Sequence, residues 1–138
     1  MSSVLLMTDA VEPSDHVLPA LGLLAHQIRI LPADAGALLH APAADLLLVD
    51  GRRDLPGVRS LCRVIRATGS DLPVLLIVTE GGLAAVSADW GVDDIVLDTA
   101  GPGEVEARFR LAVGRQAQTD QETGPEIQPG EALINQSS

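Results

Sequence analysis

The segment Leu46–Asp50 constrains the fold of this chain more than any other, because a continuous apolar run ends there abruptly in a carboxylate. Gly51, Arg52 and Arg53 follow it directly. A short apolar run between polar and turn residues is typical of a strand that is buried on both faces of a parallel sheet. Functional groups of open parallel sheets lie at the carboxyl ends of the strands, so Asp50 is the first candidate site residue.

The remaining chain supplies four more predicted strands and the helices between them. The strands are predicted over residues 4–8, Gln27–Leu31, Val74–Val78 and 95–97. Apolar spacing and turn residues predict helices over residues 16–26, 33–40, 57–67, 81–90 and 104–115. Each crossover is long enough for a right-handed βαβ unit. The predicted fold is therefore α/β, with a five-stranded, doubly wound parallel sheet of the flavodoxin-like kind and strand order 2-1-3-4-5.

Composition excludes several functions for this chain. Its 138 residues suit one domain, and its formal net charge of −10 opposes binding of nucleic acid or an anionic membrane by this chain alone. One Phe, one Trp and no Tyr leave few rings to stack on a base or a flavin. The single cysteine, Cys62, excludes an internal disulfide and fits a reducing cytosol. No apolar run reaches the length of a membrane span, so a cytoplasmic protein is expected.

The composition changes near residue 116. Residues 117–138 are rich in Gln, Glu, Gly, Pro, Thr and Ser, which is typical of a linker. Residues 131–135 form a small apolar, strand-like island with too little chain after it to pair within this sequence. We therefore predict a folded domain over residues 1–116. The island is either the start of a further domain that is cut off or part of an ordinary tail.

Polar side chains converge at one edge of the predicted sheet. In the order 2-1-3-4-5 the chain reverses between strands one and three, whose carboxyl ends carry Thr8, Asp9 and Asp50. Thr79 follows the neighbouring strand. The predicted site therefore combines two carboxylates with two hydroxyl groups, although no local motif links them.

This arrangement of strand ends resembles the receiver domain of bacterial response regulators. The resemblance covers about residues 4–115 and consists of an acid after strand one, an aspartate after strand three and a threonine after strand four. Residues 92–95 and 104–108 are similar to the OmpR/PhoB subfamily. Residues 17–21 and 79–91 resemble the GlnR family of actinobacterial nitrogen regulators.

The resemblance implies a non-enzymatic, receiver-like regulatory domain of a DNA-binding transcription regulator. It implies a winged helix-turn-helix domain after residue 131 and control of nitrogen-assimilation genes. DNA would be bound only through that further domain. The other implied partners are a second copy of the chain and RNA polymerase.

The sequence departs from the receiver pattern at several positions. Receivers hold Mg²⁺ with two acids after strand one and the acceptor aspartate, and a lysine after strand five acts as a charge clamp. Here Thr8 replaces the first acid, Asp98 replaces the lysine, and Ile95 replaces a switching aromatic residue. Asp9 and Asp50 alone make a poor Mg²⁺ site. We therefore expect no cofactor, with Mg²⁺ needed only if Asp50 is phosphorylated.

Asp50 at the phosphoacceptor position has two possible roles. It is either a working phosphoacceptor or, as we favour, a structural carboxylate. A buried carboxylate without a metal ion needs a partner, and Arg52, Arg53 and the Thr8 hydroxyl are near enough to supply one. We favour Arg52, whose guanidinium can replace the missing cation permanently.

A second set of residues is predicted to form a dimer interface on the fourth helix, the fifth strand and the fifth helix. The OmpR/PhoB resemblance implies a two-fold dimer with ion pairs across the axis at this face. The predicted interface residues are Leu83, Val86, Trp90, Asp93, Asp94, Glu104, Arg108, Phe109 and Arg115. Alternatively, Glu104 and Arg108 pair within their own helix, which would contribute only about 0.3–0.5 kcal/mol.

The predicted function is a non-catalytic receiver-like domain that dimerises without phosphate. One rival is a conventional receiver that is phosphorylated on Asp50 in a two-component system. The other is a small α/β enzyme or nucleotide-binding module. The chain disfavours the latter because it lacks a glycine-rich loop after the first strand and a nucleophile–base pair.

Overall fold

The structure is a computed structural model that describes residues 2–122, with side chains described up to residue 115. Five strands form one sheet in the order β2-β1-β3-β4-β5. All four strand pairings are parallel. The strands are β1 Ser3–Met7, β2 Gln27–Leu31, β3 Leu46–Asp50, β4 Val74–Val78 and β5 Asp94–Leu97. The predicted fold class and strand order are confirmed.

The helices of the described part of the chain are of two kinds. The α-helices are α1 Ser14–Val17, α2 Leu55–Ala67 and α3 Pro102–Glu122. The 3₁₀ helices are Pro19–Leu23, Ala35–His40, Glu80–Ala85 and Ala88–Trp90. Within the described residues, the two long α-helices are therefore α2, in the crossover from β3 to β4, and α3, which follows β5.

The helix predicted over residues 16–26 is wrong as a continuous element. It breaks at Leu18, which has the extended angles φ −140° and ψ 96°. Pro19 explains the break, because proline disfavours the α conformation in the residue before it and has no N–H to donate. A 3₁₀ helix, Pro19–Leu23, takes over after the break.

The helix predicted over residues 81–90 is also wrong, because two 3₁₀ helices replace it. Val86 and Ser87 lie between them in extended conformations, with ψ values of 133° and 173°. The segment begins with Gly81 and Gly82, which lose more conformational entropy in a helix than other residues do. The Thr79 side chain does not cap it either.

Two apolar layers cover the faces of the sheet. On one face, Leu6, Leu48 and Ile77 pack with the apolar sides of α1 and α3. On the other face, Met7 and Val49 pack with the apolar side of α2. The central strands are therefore buried on both sides, as their continuous apolar runs predict. The polar residues that follow these strands lie together at one edge of this core.

Both long helices are longer than predicted. α2 starts at Leu55, after the N-cap Asp54, whose carboxylate accepts a hydrogen bond from the N–H of Gly57. α3 extends to Glu122, beyond the domain boundary placed at residue 116. Residues 123–138, with the predicted island at 131–135, lie outside the described residues.

Candidate functional site

The carboxylate of Asp50 accepts four hydrogen bonds at the carboxyl end of β3. Its Oδ1 accepts from the backbone N–H of Arg52 at 3.1 Å and from Arg52 Nε at 2.9 Å. Its Oδ2 accepts from Arg52 Nη2 at 3.1 Å and from Thr8 Oγ1 at 2.7 Å. The side chain of Asp50 is only 8% exposed. The guanidinium of Arg52 thus donates to both oxygens of Asp50, which makes a bidentate ion pair, the stronger form of an arginine–carboxylate contact.

Two residues of the loop between β1 and α1 complete this network. Thr8 is buried, and its hydroxyl also accepts the N–H of Ala10 at 3.0 Å. Arg52 Nη2 donates a second hydrogen bond, to Oε1 of Glu12 at 2.9 Å. Sequence reasoning missed Glu12, because no spacing relates it to Asp50. The only feature of the sequence that pointed to Glu12 was that it is a carboxylate in the loop next to the carboxyl end of β1.

The hydrogen bonds control the ionisation of Asp50. Burial alone would raise its pKa, but hydrogen bonds from the Arg52 side chain, the Thr8 hydroxyl and the Arg52 backbone together lower the pKa below its ordinary value. The Asp50 hydrogen bonds raise the pKa of Arg52 in turn, against the opposing effect of burial. The pair is therefore a fixed carboxylate–guanidinium ion pair at neutral pH.

This lowered pKa predicts how stability depends on pH. A depressed folded-state pKa contributes stability above the unfolded value near 3.8, and that stability is lost as pH falls through the folded value. We expect the free energy of unfolding of the wild type to fall more steeply below about pH 4 than that of Asp50→Asn. Urea unfolding at a series of pH values measures the difference. An identical acid slope for both proteins would contradict it.

Asp89 supplies an acid-range contribution that both proteins share. Hydrogen bonds from Ser87 and then Arg59 lower the pKa of Asp89 to about 2. The comparison must therefore use the difference between wild type and Asp50→Asn, rather than the absolute slope of either protein.

The other predicted pocket residues do not donate to Asp50. Asp9 is exposed, and its Oδ1 accepts the N–H of Ala33 at 3.1 Å. The carbonyl of Thr79 accepts the N–H of Gly82 at 3.0 Å, and the backbone N–H of Asp98 bonds to Val78 at 2.9 Å. Within the described part of the chain, all hydrogen bonds to the Asp50 carboxylate come from Thr8 and Arg52.

The donor set does not fit the Mg²⁺ ion that receiver phosphorylation uses. Residues 2–115 contain no group of three or more His, Cys, Asp or Glu side chains that could hold a metal ion. One oxygen of Asp9 is turned to a backbone N–H, and a guanidinium already covers both oxygens of Asp50. A Mg²⁺ ion needs several free oxygen ligands in near-octahedral geometry. The weak Mg²⁺ site considered for Asp9 and Asp50 is therefore not built.

Four charged residues of the predicted dimer interface, Asp93, Asp94, Glu104 and Arg108, pair within the chain. Arg108 contacts Asp94 at 3.1 Å and Glu104 at 3.1 Å, the latter one helical turn away. Asp93 accepts the N–H of Val74 at 2.7 Å and contacts Arg66 at 3.0 Å. These pairs stabilise the part of the fold around β5. The pair of Glu104 and Arg108 is the one within a single helix that the sequence analysis gave as the alternative to an interface contact.

Two apolar residues of the predicted interface are placed wrongly. Trp90 is 3% exposed and Phe109 is 1% exposed, so both belong to the core and offer no surface to a partner. Trp90 packs in the apolar layer on the α2 side of the sheet, and Phe109 packs in the layer on the opposite face. Leu83 and Val86 are half-buried at the rim of the core. Leu111, on the same helix as Phe109, is 62% exposed.

Among solved structures, several share this fold. NtrX from Brucella abortus, in complex with ADP, is 20% identical with a TM-score of 0.68, and the match covers 88% of this chain and 28% of NtrX. Full-length FixJ from B. japonicum is 15% identical with a TM-score of 0.69, and the match covers 87% of this chain and 61% of FixJ. A response regulator receiver domain protein from Clostridium thermocellum is 10% identical, with a TM-score of 0.68 and 86% and 99% of the two chains covered.

The fold of this chain is the receiver fold of these structures, with Asp50 at the end of its third strand. A family profile described as transcription regulator GlnR, N-terminal domain, matches residues 2–113. The chain therefore belongs to the GlnR N-terminal domain family. The comparison with curated proteins found no match. In the part of the chain that the structure describes, no helix has the length and apolarity needed to cross a bilayer.

Proposed function

We propose that this receiver domain dimerises without phosphorylation and serves a DNA-binding regulator of nitrogen metabolism. One observation carries the proposal: both oxygens of Asp50 are occupied by Arg52 and Thr8. The ion pair supplies from within the chain the charge balance that Mg²⁺ and a phosphoryl group supply in a conventional receiver.

Phosphoryl transfer would be opposed at this site. An attacking carboxylate oxygen needs a free lone pair, and each oxygen of Asp50 already accepts two hydrogen bonds. The guanidinium also withdraws charge from the nucleophile. Asp98 stands where a receiver keeps its lysine, and a carboxylate there adds repulsion to an incoming phosphoryl group. Asp50 is thus suited to be a permanent structural charge.

The dimer interface proposed here is the β5 face, formed by the 3₁₀ helices between Glu80 and Trp90, by β5 and by α3. On α3, residues 104, 108, 111 and 115 lie at spacings of four, three and four, so they share one side of the helix. Leu111 is exposed in the middle of these charges. A two-fold contact would bury Leu111 with the half-exposed Leu83 and Val86 of the partner and surround them with Arg108 and its acids.

A dimer of this kind would place two DNA-binding domains on adjacent half-sites. In this proposal residues 1–116 form the receiver-like domain, and residues 117–138 link it to the DNA-binding domain that contacts nitrogen-assimilation promoters and RNA polymerase. The charge of the receiver domain supports this division, because residues 1–116 hold 15 acidic and 9 basic residues, a formal net charge of −6 that opposes direct DNA binding. The proposed setting is the cytoplasm.

The test is the mass of the chain in solution, measured by sedimentation without any phosphodonor. We expect wild type to be a dimer and Leu111→Glu to be a monomer, because a buried carboxylate without a partner disfavours the contact. Leu39→Glu is the matched control. Leu39 is 81% exposed on the 3₁₀ helix Ala35–His40, away from the β5 face, so this variant should remain dimeric.

Two outcomes would contradict the proposal. If both glutamate variants were dimers, the interface would not lie on the β5 face. A monomeric wild type that dimerises only with acetyl phosphate and Mg²⁺ would support the conventional receiver that is phosphorylated on Asp50.

A further inference from the structure

The loop between β1 and α1 is tied to Asp50 from both of its ends. At its start, the Thr8 hydroxyl donates to Asp50 Oδ2 at 2.7 Å and accepts the N–H of Ala10 at 3.0 Å. At its end, Glu12 accepts from the same Arg52 Nη2 atom that donates to Asp50. Between these anchors Val11 is fully exposed to solvent. The loop therefore lies against the ion pair with its apolar tip outward.

On the β4 side, the described residues make no hydrogen bond to the Asp50 carboxylate. The hydroxyl of Thr79 does not cap the 3₁₀ helix that follows β4. The hydrogen bonds to Asp50 within residues 2–115 come from β1 and from the turn after β3. A change of charge on Asp50 would therefore act directly on residues that hold the β1–α1 loop. It would not act through these hydrogen bonds on the end of β4.

We propose that Glu12 is a positioning residue that holds Arg52 over Asp50 and thereby closes the β1–α1 loop, so that this loop reports the charge of Asp50. The inference rests on the proposed role of the Asp50–Arg52 pair. One guanidinium is shared by two carboxylates, so the Glu12 end of the loop is held only while Arg52 stays in place. The Arg52 hydrogen bond also lowers the pKa of Glu12, which keeps it charged.

The consequence for regulation is that the charge of Asp50 controls both points at which the β1–α1 loop is attached. Neutralising Asp50 weakens the hold on Arg52 and on the Thr8 hydroxyl at the same time, so both anchors of the loop loosen. Neutralising Glu12 loosens only one anchor and leaves the Asp50–Arg52 pair formed. The two changes should therefore affect the same amides, with the larger effect for Asp50.

Backbone hydrogen exchange of the 138-residue chain, measured residue by residue, tests this inference. We expect Glu12→Gln to speed exchange in residues 9–16 by roughly tenfold, because a charge-assisted hydrogen bond is lost. Asp50→Asn should speed the same amides at least as much, and residues 79–86 should be unchanged in both. Glu80→Gln is the matched control: it removes the same charge from an exposed position on the β4 side and should leave residues 9–16 unaffected.

The sedimentation mass of the same samples separates this inference from the proposed function. Unchanged exchange of residues 9–16 in Glu12→Gln would overturn the role of Glu12, whatever the mass. An increase spread evenly over the whole chain would also overturn it, because a positioning role is local. If the loop responds as expected in a wild type that is monomeric, only the proposed dimerisation fails.

Discussion

Arg52→Ala is expected to destabilise the domain by about 3 kcal/mol, because it leaves a buried carboxylate without its cation. Asp50 would keep only the Thr8 hydroxyl as a side-chain donor. Burial, which raises the pKa of Asp50, would then be opposed only by the Thr8 hydroxyl and the backbone N–H of residue 52. Thermal unfolding should show a fall of about 10 °C in the midpoint.

The neighbouring arginine provides the control for this prediction. Arg53 is exposed, so Arg53→Ala should change the free energy of unfolding by less than about 0.5 kcal/mol. The double variant Asp50→Ala with Arg52→Ala should recover much of the loss, since it removes both charges together. If Arg52→Ala and Arg53→Ala lowered the free energy of unfolding equally, the Asp50–Arg52 ion pair would not contribute to stability as predicted.

Gly51→Ala is the second large prediction. The backbone of Gly51 does not have a positive φ, so the requirement for glycine is one of space. An added Cβ would lie 2.7 Å from the carbonyl oxygen of Ile77 and 2.7 Å from a methyl carbon of Leu76. The Leu76 side chain has some freedom to move, but the carbonyl belongs to the central strand β4. We expect a loss of about 3 kcal/mol in the free energy of unfolding.

The same substitution should disturb the site, because Gly51 lies between the two partners of the ion pair. Its N–H donates to the carbonyl of Ile77 at 2.7 Å, which fixes the turn that brings Arg52 back over Asp50. Gly81→Ala is the control, since nothing lies within 4 Å of its added Cβ. Similar urea midpoints for the two variants would show that the close approach of Gly51 to β4 is unimportant.

Much of the fold was predictable because the buried strands are marked by composition alone. β3 and β4 have the predicted bounds, since each is an apolar run between polar or turn residues. The edge strand β2, which has three exposed residues, also has its predicted bounds. The helices were less predictable. Pro19 shows why, because a single imino acid outweighs the helical spacing of the apolar residues around it.

The candidate site was predictable where its partners lie close together in the chain. Asp50 and Arg52 are two residues apart, and a buried carboxylate without a metal ion requires a cation. Glu12 was not predictable, because its contact with Arg52 spans 40 residues and depends on the path of a loop. The placement of Trp90 and Phe109 failed for a related reason. An apolar side chain on a helix can pack into the core or against a partner chain. Which of the two occurs depends on the space between the helix and the sheet, and only the tertiary structure shows that space.

The sequence by itself determined the parallel sheet, its strand order, the aspartate at the end of β3 and the missing lysine and acid of a phosphorylation site. The sheet and the aspartate follow from local apolar runs, and the strand order follows from the doubly wound arrangement of those strands. The missing lysine and acid follow from comparing residue identities with the receiver pattern. Only the tertiary structure decided that one guanidinium is shared by Asp50 and Glu12, that Thr79 and Asp98 donate nothing to Asp50, and that Leu111 is exposed. Those facts depend on distances between segments far apart in the chain, and such distances are set by how the layers pack.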